Sequence, residues 1–325
     1  MELAIETNSL TKKYGSLTAV NKLDLQVQRN TIHGFLGPNG AGKTTTIKIL
    51  VGLLRPNEGT VKVLGQKIHG DHNGHFFQLF HDQADSRLSI GYMPELPKFP
   101  KHLKGSELLD IYGQMYGMTE QQRKEQIPAL MELVGLRGRE NDLIGKYSKG
   151  MQQRIGIAQA LLNNPELVIL DEPSLGLDPV GIVEVRDLVK AIAKEGRTVF
   201  ISSHLLFEVE QICTHVTIIN RGEALVSDTL QNASSKLAGP ATLQVEVAKL
   251  SKAIVNAVKN LPFATDVVQS GNTLSIDLKT REDVRPQVSQ EITNAGGIII
   301  SMSLQRQNLE DVFMQLVGKQ QGGKA

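Results

Sequence analysis

The stretch Gly37-Pro38-Asn39-Gly40-Ala41-Gly42-Lys43-Thr44 has the form G-x-x-x-x-G-K-T, and its setting gives the pattern meaning. An apolar β-like run at 31–36 precedes it and a helix-favouring run at 45–54 follows, the strand–loop–helix order that a phosphate-binding loop requires. Glycines at 37, 40 and 42 let the backbone turn through conformations closed to other residues, so successive N–H groups can converge on a polyphosphate at a helix N-terminus. Lys43 is then within reach of β- and γ-phosphates, and the Thr44 hydroxyl suits Mg²⁺, a hard cation that prefers oxygen ligands. A glycine-rich turn without that role has no reason to end in Lys-Thr.

Composition bounds the rest. A chain of 325 residues has room for two domains with their own cores, and 40% hydrophobic with 21% charged residues is ordinary for a globular protein. A formal charge of +1 argues against a general nucleic-acid binder, which carries a basic surplus. The single cysteine, Cys213, excludes an internal disulfide framework and suits a reducing cytosol. No apolar run approaches the roughly 20 residues needed to span a bilayer, and Glu2 and Glu6 stand where a signal peptide would be basic and then apolar. Any membrane role is therefore expected to come through a partner.

Around the loop, residues 3–27 alternate as strands, with Tyr14 in the basic turn Lys12-Lys13-Tyr14-Gly15; its ring can pack ordinarily or stack on a base. His69, His72, His75 and His81 crowd one segment with Asp71, Asp82 and Asp85, which reads either as a metal site or as a polar surface loop. A short strand at 90–93 runs into Pro94-Glu95, and from 105 to 138 the period becomes helical, with Ser106 expected to cap one helix and Thr119 with Gln122 to form a capping box for the next. Ser148 stands at the capping position of a further helix through Gly150.

Leu167-Val168-Ile169-Leu170 has the continuous apolar character of a strand buried on both faces, and it ends in Asp171-Glu172. Two carboxylates at such a strand end are costly to desolvate unless they have work: the first can hold Mg²⁺, the second can deprotonate an attacking water. Asp178-Pro179 opens the next helix, and the buried strand at 198–202 ends in Ser203-His204, which puts His204 at the same end of the sheet as the carboxylates and in line for a γ-phosphate contact. Beyond a linker at 233–240 the order strand, helix, strand, strand, helix, strand matches a ferredoxin-like split β-α-β, and no catalytic constellation appears there.

Taken together these motifs resemble the ATP-binding subunit of an ATP-binding cassette (ABC) transporter over residues 1 to about 232. The elements stand in order: Tyr14, the phosphate loop, Pro94-Glu95 at the family's Q-loop, the signature Ser148-Lys149-Gly150-Met151-Gln152, Asp171-Glu172, the D-loop ending at Asp178, and the switch His204. Glu95 replaces the family's usual Gln, and Lys149 and Met151 replace the commoner Gly and Gln of the signature. Leu309-Glu310-Asp311-Val312-Phe313 further resembles subunits of bacterial and archaeal exporters for drugs, lipids, polysaccharides or ions.

The resemblance implies an α/β fold, a P-loop NTPase ABC cassette with a RecA-like core, a β subdomain and a helical insertion at about 96–163, followed by a small α+β ferredoxin-like domain at 241–318 and a tail at 319–325. It implies ATP and Mg²⁺ as cofactors. Gly37, Asn39, Gly40, Ala41, Gly42, Lys43, Thr44 and Thr45 would bind nucleotide with Tyr14, Glu95 and Asp178, while the signature residues Ser148 and Gly150 would act on the nucleotide of a second cassette, most simply another copy. Thr44, Glu95 and Asp171 would face Mg²⁺; Glu172, His204 and Lys43 would carry catalysis. A membrane permease would be the other partner, placing the chain at the cytoplasmic face of the membrane as an export motor. The competing expectation is a non-transport ABC ATPase acting on nucleic acid or ribosomes; the absence of long heptads between Thr44 and Ser148 and the single phosphate loop weigh against it.

Overall fold

The computed structural model describes residues 2–68, 90–237, 241–280 and 282–305. The chain divides into two compact units, residues 1–230 and 231–325. In the first, β1 (Leu3–Tyr14) and β2 (Leu17–Gln28) form a long hairpin, β3 (Ile32–Leu36) leads through the phosphate loop into α1 (Lys43–Leu50), and β4 (Glu58–Val63) and β5 (Gln66–Lys67) return to the hairpin. The order β2-β1-β4-β5 makes an antiparallel sheet whose alternating burial marks one solvated face.

The second sheet carries the chemistry. Its order is β10-β9-β3-β8-β7-β6, built from β3, β6 (Ile90–Met93), β7 (Leu167–Asp171), β8 (Thr198–Ser203), β9 (His215–Asn220) and β10 (Glu223–Thr229). All pairings are parallel except β9 with β10. Every residue of β3, β7 and β8 is buried, as in strands covered on both faces, and Leu167–Leu170 of β7 is the continuous apolar run that such burial favours. Helix α1 joins the sheets: Ile47, Ile49 and Leu50 share one core with Ile5, Leu10 and Leu25 of the antiparallel sheet and Phe35, Leu167, Ile169 and Phe200 of the parallel one.

Between β6 and β7 lie α2 (Gly105–Met115), α3 (Glu120–Leu133) and α4 (Lys149–Leu161); α5 (Pro179–Lys194) and α6 (Leu206–Ile212) flank β8. Thr119 and Gln122 form the expected capping box. Ser106 does not cap α2. The helix starts two residues earlier than that cap would place it, after Lys104, whose N–H donates to the Glu107 carboxylate at 2.9 Å, while the Ser106 hydroxyl reaches the Glu140 carbonyl at 3.0 Å. A tertiary contact claims the hydroxyl, and an acidic side chain takes over the N-terminal N–H.

Helix α7 (Leu230–Leu237) occupies much of the segment expected to be linker. In the second unit β11 (Ala241–Val247), α8 (Lys252–Lys259), β12 (Ala264–Ser270), β13 (Thr273–Leu278), α9 (Arg285–Asn294) and β14 (Ile299–Gln305) build an antiparallel sheet of order β12-β13-β11-β14. Leu243, Val245, Leu274 and Ile276 pack against Ile254 and Val258 of α8 and Val288 and Ile292 of α9. The histidine-rich segment around His69–His81 and the motif at 309–313 lie outside the described residues.

Candidate functional site

The phosphate loop is held by close backbone approaches. Gly42 sits at φ 105° as the N-cap of α1, and a Cβ there would lie 2.4 Å from the Ala19 carbonyl oxygen; a Cβ on Gly37 would lie 2.5 Å from the carbonyl oxygen of Ile219. Only glycine fits either position. No side chain caps α1, so its first-turn N–H groups remain available to an anion.

Lys43 is buried, its ammonium donating to the carbonyls of Gly37 at 2.7 Å and Pro38 at 3.3 Å. The same nitrogen stands 3.1 Å from Glu172 Oε1. Glu172 Oε2 meets His204 Nδ1 at 2.8 Å, so this carboxylate bridges the loop lysine and the residue after β8. Glu172 also takes a left-handed backbone at φ 49°, uncommon for any residue but glycine, which turns its side chain away from the strand line set by Asp171.

Asp171 is fully buried. Ser202 donates to its Oδ1 at 2.6 Å, while Oδ2 has no hydrogen-bond partner. Burial pushes the Asp171 carboxyl above the usual carboxylate range; the Ser202 hydrogen bond and the nearby Thr44 hydroxyl pull it back, and the charges of Glu95 and Glu172 push it up again. Beside it, burial raises the Tyr92 phenol to about 12, with Asp171 and Glu95 adding to the effect.

A cleft of about 530 Å³ gathers Lys43, Glu172 and His204, while the fully buried Asp171 is not among the residues that line it. Tyr14, Asn39, Gly40, Gly42, Lys43, Thr44, Thr45, Glu95, Glu172 and His204 line it, all of them expected from sequence, and Leu17, Ala19 and Leu175 complete the wall. Lys12 lies over the Tyr14 ring, 5.4 Å from its centre. Ala41 and Gly37 belong to the loop but do not line the cleft; the Ala41 carbonyl accepts the Gly222 N–H at 2.9 Å and the Gly37 N–H donates to the Ser203 carbonyl at 3.2 Å.

Ser148, Gly150 and Asp178 do not line the cleft. Ser148 caps α4, accepting the Met151 N–H at 3.2 Å, and the Asp178 carboxylate caps α5, accepting the Gly181 N–H at 2.7 Å. Sequence reading missed Ser202, whose hydroxyl both donates to Asp171 and accepts the Glu172 N–H at 2.8 Å. It also missed Glu208, whose carboxylate accepts from the Ser203 hydroxyl at 3.0 Å and whose burial raises its pKa.

Comparison with known proteins agrees with this geometry. A profile described as ABC transporter matches residues 20–175. The bacitracin transport ATP-binding protein BcrA of Bacillus licheniformis is 36% identical over 323 residues, 98% of each chain. The chain belongs to the ATP-binding subunits of ABC transporters. It is accordingly an ATPase of that class, coupled to transport. A second relative of this ABC subunit, the linearmycin resistance ATP-binding protein LnrL of Bacillus subtilis (strain 168), is 32% identical over 318 residues, covering 97% of this chain and 98% of its own. Among solved structures, an ATP-binding subunit of an ABC transporter superposes with a TM-score of 0.61 at 28% identity, covering 72% of this chain and 92% of that one. Since the two sequence relatives match nearly end to end, the second unit is part of what they share.

Proposed function

We propose that this ABC subunit is the ATP-hydrolysing motor of an exporter, that it works as a head-to-tail pair of copies, and that each pocket combines one copy's cleft with the other's Ser148 end. The observation that carries this reading is the division of the site: Lys43, Glu95, Glu172 and His204 share one cleft, and Ser148 and Gly150, at the N-terminus of α4, are not among its lining. A capped helix start suited to an anion has no phosphate to meet within its own chain's cleft, and a second copy would supply one.

In this reading the Gly37–Thr45 loop grips the phosphates through its N–H groups and Lys43, and Tyr14 stacks on the base. Mg²⁺ fits the residues present: Asp171 has a buried, unpartnered Oδ2, and Thr44 and Glu95 add oxygen donors on the cleft wall. One or two carboxylates with a hydroxyl suit an ion that keeps waters and takes phosphate oxygens. When bound it would neutralise charge that develops on the phosphates, with Asp171, Thr44 and Glu95 as the residues that would hold it. Glu172 would take the proton from the attacking water, and His204, already 2.8 Å from Oε2, would hold that carboxylate and steady the γ-phosphoryl. Phosphates would draw Lys43 from Glu172, freeing Oε1 for the water.

Relatives named for bacitracin transport and linearmycin resistance favour export of an antibiotic-like compound. Among the described residues no helix is long and apolar enough to cross a membrane, so a separate permease would carry the cargo, with the chain docked on its cytoplasmic side. The order of the second unit's strands supports a ferredoxin-like accessory domain that follows, in sequence, a cassette ending near residue 232. Glu172→Gln tests the pairing: with Mg-ATP the variant should accumulate as a dimer by light scattering while turnover falls by about 10²-fold or more. A variant that stays monomeric, or hydrolyses at the wild-type rate, overturns the proposal.

A further inference from the structure

β8 ends in Ser202-Ser203, with His204 directly after it, and each residue holds a different part of the site. The Ser203 carbonyl accepts the Gly37 N–H at 3.2 Å, tying the strand to the root of the phosphate loop. The Ser203 hydroxyl accepts the Leu205 N–H at 3.0 Å and donates to Glu208 Oε2 at 3.0 Å, which fixes the turn that carries His204. Ser202 has no exposed surface. Its hydroxyl donates to Asp171 Oδ1 at 2.6 Å and accepts the Glu172 N–H at 2.8 Å, so one oxygen holds both members of the carboxylate pair on the neighbouring strand.

Two consequences follow from chemistry. A carboxylate rotates broadly about its last torsion, and either oxygen can face a ligand. Ser202 occupies Oδ1 and leaves Oδ2, buried and unpartnered, as the oxygen that Asp171 can offer. The backbone of Glu172 is held at φ 49°, where a side chain other than glycine persists only if its surroundings fix it. The hydroxyl supplies that anchor, because the Glu172 N–H has the Ser202 oxygen as its acceptor.

We propose that Ser202 is a positioning residue for the ATPase reaction, one hydroxyl that aims Asp171 Oδ2 at the metal and pins the backbone turn presenting Glu172. The inference rests on the roles proposed above for those two carboxylates. Its effect is indirect, since Ser202 has no exposed surface and is not among the residues lining the cleft. Partners of this kind, one step removed from a metal, typically contribute 10–100-fold in metal affinity or activity.

The test uses the full chain with mant-ATP as the probe, titrated with and without Mg²⁺, alongside steady-state hydrolysis. Ser202→Ala should raise the Mg²⁺ concentration for half-maximal response by roughly 10-fold or more and lower the maximal rate, while mant-ATP affinity in EDTA stays within about 2-fold of wild type. Ser202→Thr keeps the hydroxyl and should restore the Mg²⁺ response. Ser202→Cys keeps the volume with a poor donor and should repeat the alanine result, which guards against a cavity effect. A wild-type Mg²⁺ response in a folded Ala or Cys variant, or no rescue by a Thr variant with a normal melting temperature, overturns the assignment. Failure of the wild-type chain to bind mant-ATP at all would instead sink the site reading on which it rests.

Discussion

The contact between Lys43 and Glu172 makes a quantitative prediction for the chain without added nucleotide. Both side chains are more than nine-tenths buried, with N to O at 3.1 Å. At an effective dielectric of about 20 that separation corresponds to about 5 kcal/mol of gross attraction, and removing one member of such a pair leaves the other charge short of compensation. Lys43→Met strips Glu172 of its ammonium but leaves His204, so the expected loss of unfolding free energy is about 3 kcal/mol. Glu172→Gln leaves Lys43 with the Gly37 and Pro38 carbonyls and should cost about 2 kcal/mol. In the double variant both charges are gone, and the total should be about 3 kcal/mol, a coupling of about 2 kcal/mol. The chain has no Trp, so urea unfolding is best followed by far-UV circular dichroism. Losses that add to within about 0.5 kcal/mol would show that the two side chains do not interact and refute the bridge.

Two further outcomes follow from burial. Because Asp171 is raised above the usual carboxylate range chiefly by burial, its ionised form costs stability at neutral pH; Asp171→Asn should abolish Mg-dependent hydrolysis yet raise the melting temperature. That gain should shrink as pH falls into the carboxylate range, and a lowered melting temperature at pH 7.5 would contradict it. His33, buried between Phe200 and His215 with Nε2 on Thr217, is pushed down to about 3 by burial and then by His215. The unfolded chain therefore takes up a proton near pH 6.5 that the folded chain refuses, so stability is lost as pH falls from there toward 3, at up to about 1.4 kcal/mol per unit from this one group. His33→Gln should flatten that slope; an unchanged slope in urea titrations at pH 4 to 7 would count against it.

What could be read from sequence was whatever chemistry is contiguous. The loop at Gly37–Thr44, the Asp171-Glu172 pair and the Ser148 cap each announce themselves within a few residues, because glycine geometry, strand burial and capping are local constraints. Tertiary juxtaposition was hidden. Ser202 reaches Asp171 across 31 positions through the parallel pairing of β7 with β8, and a serine in an apolar strand carries no mark of its partner. Ala19 abuts Gly42 only because the hairpin folds back over the loop. The Ser106 cap failed for the same reason, since Glu140, 34 residues away, takes the hydroxyl. The left-handed turn at Glu172 was equally invisible, as nothing in a glutamate side chain asks for positive φ.

The decisive measurement is a mixing assay between two inactive variants, Ser148→Arg and Glu172→Gln. In a head-to-tail pair the mixed dimer joins the intact cleft of the Ser148→Arg chain to the intact α4 end of the Glu172→Gln chain, restoring one complete pocket. Random pairing of equal amounts should then return about a quarter of the wild-type sites to activity. If each chain instead completed its own pocket, both partners would carry a lesion in every site, and the mixture would stay as inactive as its components.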